Sequence, residues 1–105
     1  MSQTDIDVPA VLRQAADFIA GGHARTPVGA IGVMAKSMPA LDAAITVFLT
    51  HLGLDVPSGS AARQALCDWF ARSELNSVQL ATRLRDAAAD AAALQAELAS
   101  RKEAV

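Results

Sequence analysis

Between Asn76 and Val105 the chain carries neither proline nor glycine, and Leu80, Leu84, Ala87, Ala91, Leu94 and Leu98 succeed one another at spacings of four, three, four, three and four residues. Sustained for about three repeats, this heptad pattern specifies one long helix with a single apolar seam. Asn76 followed by Gln79 resembles a capping box, so the helix is predicted over 76–104. At 1.5 Å per residue it would reach ~40 Å, about twice the ~20 Å of a 13-residue helix. A rod of that length in a chain of 105 residues is expected to extend past whatever bundle covers its first half. Arg83, Asp90 and Glu97 fall at one position flanking the seam, with Gln95 and Lys102 at the other, so Glu97 and Lys102 could pair across a parallel dimer. The competing expectation is that the seam packs on the chain's own helices as the fourth member of a bundle, with a solvated, alanine-rich end.

Upstream, three further helices are legible. Val8, Val11, Leu12, Ala15, Phe18 and Ile19 share one face, with Asp7 as N-cap, Pro9 in the first turn and Gly21-Gly22 as the stop. Pro39 opens a helix with Leu41, Ala44, Ile45, Phe48, Leu49 and Leu52 on its face, ended by Gly53. Pro57, Ser58, Gly59 and Ser60 mark a loop, and either serine could cap the next helix, which should run to about Arg72 and bury Ala62, Ala65, Leu66, Trp69 and Phe70. Phe18, Phe48, Trp69 and Phe70 are the expected core anchors. Thr26-Pro27 predicts a short fifth helix over 27–36, in which Gly29 and Gly32 are expected to let another backbone approach closely rather than to contact a ligand. The fold class is therefore all-α: one domain over 1–105, four main helices plus this short one.

Composition agrees with thin, closely approaching helices. Apolar residues make up 52% of the chain, but only three phenylalanines and one tryptophan are present, and alanine dominates the rest. With 9 basic against 11 acidic residues, no large positive field exists to attract phosphates, which disfavours nucleic acid as a partner. Lys36, Asp42, His51 and Asp55 interrupt the most apolar half, so no run approaches the ~20 residues of a membrane span. The lone cysteine, Cys67, and the polar opening Ser2, Gln3, Thr4 and Asp5 point to a reducing cytoplasm.

The chemistry-bearing residues form no recognisable motif. His23, His51, Cys67, Asp68 and a few serines are the only candidates for a nucleophile or base, and they lie outside any known arrangement. His51 is expected at a helix C-terminus, where a structural role is favoured. Cys67, beside the Trp69 stripe, is expected to be a small buried hydrophobe. No cluster has metal-ligand spacing. No catalytic residue, metal or cofactor is therefore expected. Residues 62–85 suggest a helix-turn-helix, but the last helix continues into Asp86 and Asp90 without the turn and second helix that such an element requires.

The segment Val11-Leu12-Arg13-Gln14-Ala15-Ala16-Asp17-Phe18-Ile19 resembles the start of small uncharacterised helical proteins from actinobacteria and their phages. Val28-Gly29-Ala30-Ile31-Gly32-Val33-Met34-Ala35 is similar to their Ala/Gly-rich centre, and Cys67-Asp68-Trp69 and Leu84-Arg85-Asp86-Ala87-Ala88 to their later helices. This chain lacks the family's central cysteine and Trp-Asn-Asp. The resemblance implies an accessory protein acting by binding, and no activity.

The sequence thus reads as a non-enzymatic helical interaction module whose partner is a protein, first of all a second copy of itself, bound through Leu80, Leu84, Ala87, Ala91, Leu94 and Leu98. The alternatives are a small DNA-binding regulator using Arg63, Arg72, Arg83 and Arg85, and an enzyme built on His51 or Cys67.

Overall fold

In the computed structural model, which describes residues 7–57 and 59–104, five helices follow one another in the order α1 (Val8–Ala20), α2 (Pro27–Ala35), α3 (Met38–His51), α4 (Ser60–Ser73) and α5 (Ser77–Ala104). Side chains fix most of the starts. Asp7 accepts from the Ala10 N–H at 3.0 Å, Thr26 from Gly29 at 3.1 Å, and Ser37 from Ala40 at 3.3 Å, each satisfying one of the donors that a helix leaves unpaired at its first turn. The capping box at α5 closes in both directions: the Gln79 N–H reaches Asn76 Oδ1 at 2.8 Å, and the Asn76 N–H reaches Gln79 Oε1 at 3.0 Å.

α1 and α3 end alike. Gly22 and Gly53 adopt φ of 80° and 82°, so the chain reverses while His23 N–H bonds Phe18 O and Leu54 N–H bonds Leu49 O, the paired closure that a left-handed residue permits. α4 departs from expectation. Its N-cap position is Gly59, without a side-chain cap, and Ser60 is already the first helical residue; Ser58 lies outside the described residues.

The core gathers around α1, which packs most extensively on α5 and also on α2 and α3. Leu12, Ala15, Ala16 and Ile19 of α1 are fully buried, as are Leu84, Ala87 and Ala88 of α5. Alanine on both sides lets the two helices approach closely, so burial of small side chains is shared along a long contact. Of the four expected anchors only Phe48 lies in the core, where it is the largest fully buried side chain. Phe18, Trp69 and Phe70 are partly buried and pack against the core from outside. For the last two the reason lies in α4, which packs on α2 and α3 and buries only Ala62 and Leu66. Trp69 meets Phe48 edge-on, ring centroids 5.8 Å apart at 88°, and Phe18 stacks on His23 at 5.3 Å.

Two smaller expectations are overturned. Cys67 is exposed, because its neighbour Leu66 takes the inward position and the next residue is turned by ~100°. Gly29 and Gly32 are both exposed, so no backbone packs on them; a methyl group at Gly32 would meet only Leu41, at 4.0 Å.

Candidate interaction surface

α5 contains 28 residues against the 13 of α1. At 1.5 Å per residue it reaches ~42 Å, beside principal extents of 45, 27 and 25 Å for the molecule. The seam residues divide accordingly. Leu80, Leu84 and Ala87 are no more than 1% exposed and Ala91 is 8% exposed, whereas Leu94 and Leu98 are 56% and 51% exposed. The inner part of the seam is thus covered by the chain itself, and the buried stripe is wider than the heptad alone, since Ala81 and Ala88 lie in it too, the ordinary breadth of a helix face in a bundle.

Polar contacts tie α5 to α1 and α3. Arg85 donates to Asp17 of α1 at 2.9 Å, and His51, the last residue of α3, meets Asp90 at 2.6 Å. Beside the second tie an open trough of about 420 Å³ lies between α3 and α5. Thr46, Val47, Thr50 and His51 line it from α3, and Ala87, Asp90, Ala91 and Leu94 from α5. A shallower depression continues it past Ala43 to Pro39. Its surface is mostly apolar, with Thr50 and the His51–Asp90 pair as its polar features. Oγ1 of Thr46 in its wall is closed off from solvent and has no hydrogen-bond partner.

This trough was not evident from sequence periodicity. The expected face of α3 was the stripe through Ala44, Ile45 and Phe48, which is buried. Ala43 and Val47 form a second apolar stripe on the same helix, and a helix apolar on two sides asks for two neighbours.

The alternative chemistries find less support in the geometry. Arg63 is held by Asp42 at 2.6 Å and Arg85 by Asp17, so two of the four arginines that would face DNA are engaged within the chain. α5 runs unbroken from Ser77, without a second groove-entering helix after Arg85. Cys67 is not among the residues lining the trough that His51 borders. Among the described residues no group of three or more His, Cys, Asp or Glu could hold a metal ion, and no helix is long and apolar enough to cross a membrane. Compared with known proteins, the chain matches no family model, no curated protein and no solved structure significantly.

Proposed function

We propose that this chain is a non-enzymatic helical interaction module that self-associates through the C-terminal half of α5. The observation that carries the reading is the exposure of Leu94 and Leu98 on the same helix stripe as the buried Leu84, Ala87 and Ala91. Each leucine kept from water contributes ~1.5–3 kcal/mol relative to full exposure. Two such residues near the end of a rod, one bordering an apolar trough, favour a protein partner over a small substrate. The resemblance to small helical proteins of actinobacteria and their phages adds an accessory role.

The test is the molecular mass in solution, by light scattering at micromolar concentration, for the wild-type chain and for a Leu94→Lys, Leu98→Lys double variant. Both positions are exposed, so the variant is expected to fold with unchanged monomer stability and to lose the dimer. A wild-type chain that stays strictly monomeric, with the double variant equally stable, ends this reading.

A further inference from the structure

Independently of the self-association assigned to α5, we infer that α4 is a hinged cover: it leaves an otherwise intact body of α1, α2, α3 and α5 as one unit, and its departure uncovers Phe48.

Burial sets α4 apart. Of its 14 residues only Ala62 and Leu66 are buried, whereas α1 buries seven of its 13 and α3 five of its 14. The rest of its apolar contact comes from Ala65, Trp69 and Phe70, which stay partly exposed. Few buried apolar contacts mark the segments that open at a lower free energy than the whole molecule. Among the described residues, the ion pair that ties α4 to another helix is Arg63–Asp42, 2.6 Å long between side chains 30% and 29% exposed. Water screens a pair this open, so it adds little to what burial supplies. The Gln64–Asp68 hydrogen bond lies within α4 itself and is no hold on its neighbours.

Topology permits the motion. α4 packs on α2 and α3 and makes no extensive contact with α1 or α5, while α1 packs on α2, α3 and α5, and α3 packs on α2 and α5. Removing α4 therefore leaves the other four helices joined to one another. The flanking chain stays anchored as well, since His51 meets Asp90 at the end of α3 and the Asn76–Gln79 capping box starts α5 afresh. Both ends of α4 have unusual backbone. Gly59, its N-cap, has φ 100° and ψ −146°, a region essentially confined to glycine. Glu74, its C-cap, carries a side chain yet sits at φ 56°. Element-terminal residues of this kind are where a hinge absorbs its change in φ and ψ. Departure of α4 removes the Trp69 ring that meets Phe48 edge-on at 5.8 Å, and so opens the core at its largest side chain.

Native-state hydrogen exchange on the full chain tests this. The amides of residues 66–70 should exchange at least ~100-fold faster than the slowest amides of α1 and α5, and with a weaker dependence on dilute urea, because less surface is exposed when α4 alone opens. Asp42→Asn, which weakens the tie from the α3 side, should speed the 66–70 amides about two- to fivefold. Ala88→Gly, in the buried stripe of α5, should speed the slowest α1 and α5 amides about two- to fivefold and leave 66–70 unchanged, because α5 stays packed when α4 leaves. Amides 66–70 that are as slow as those of α1 and α5, or that Ala88→Gly accelerates equally, would show α4 opening only with the whole molecule and overturn the inference. Fast exchange at 66–70 that is indifferent to Asp42→Asn would be fraying of a helix that remains docked, and overturns it as well.

Discussion

Nδ1 of His51 and Oδ2 of Asp90 lie 2.6 Å apart although the two residues are 39 positions apart in the chain, and their contact ties the end of α3 to the middle of α5. The His51 side chain is 20% exposed and that of Asp90 is 70% exposed. A pair this open to water is screened, so each of His51→Ala and Asp90→Ala is expected to cost no more than about 1 kcal/mol. The double variant should cost less than the sum of the singles. Urea denaturation of the four proteins gives the coupling, and strictly additive losses would show that the bond contributes nothing.

Phe48 carries far more. It is the largest fully buried side chain and borders Trp69, so Phe48→Ala leaves a cavity at the centre of the core. The expected loss is about 3–5 kcal/mol, a large fraction of the ~5–15 kcal/mol available to a domain. Trp69 is the only tryptophan, so its emission follows both unfolding and the loss of its neighbouring ring. A loss below ~1 kcal/mol would place Phe48 outside the cooperative core.

The contrast between these residues shows what spacing conveys. Most helix limits were legible because they are set by local devices: Asp7, Thr26 and Asn76 bond within three residues of themselves, and Gly22 and Gly53 take positive φ where α1 and α3 stop; the start of α4, which has no side-chain cap, was not. The inner stripe of α5 was legible because its burial follows from its own periodicity. The burial of Trp69, Phe70 and Cys67 was not, since it depends on which helices flank α4. Nor was the trough, because periodicity shows that Ala43 and Val47 are apolar but not that no neighbour covers that side of α3. The His51–Asp90 bond depends on the crossing of two helices and has no local signature.

Thr46 offers a test of an isolated polar atom. Its Oγ1 is closed off from solvent and makes no hydrogen bond, so the hydroxyl loses hydration without recovering it. Thr46→Val keeps the branched shape and replaces that hydroxyl by a methyl group. It is expected to be neutral to stabilising, by up to about 1 kcal/mol. Thr50→Val is the control, since the Thr50 hydroxyl already donates to Thr46 O at 2.9 Å. Destabilisation by Thr46→Val would mean that the hydroxyl finds a partner, water included.

Gly29 and Gly32 occupy the same short helix, are both exposed, and should nonetheless respond differently to alanine. At Gly32 the added methyl group meets only a leucine methyl at 4.0 Å. The backbone there is ordinary helix, so Gly32→Ala should gain about 0.5–1 kcal/mol from reduced freedom of the unfolded chain. At Gly29 the methyl group would lie 2.9 Å from Oγ1 of Thr26, the atom that caps α2 by accepting the Gly29 N–H. Restoring a normal separation displaces that oxygen and weakens a cap worth about 1 kcal/mol, which offsets the same helix-propensity gain. Gly29→Ala is therefore expected to show no net stabilisation and Gly32→Ala a clear one. Combining Gly29→Ala with Thr26→Ala, which has no cap left to lose, should recover the gain at position 29. Equal stabilisation by the two single alanine variants in thermal denaturation would mean that the Thr26 cap adds nothing to α2.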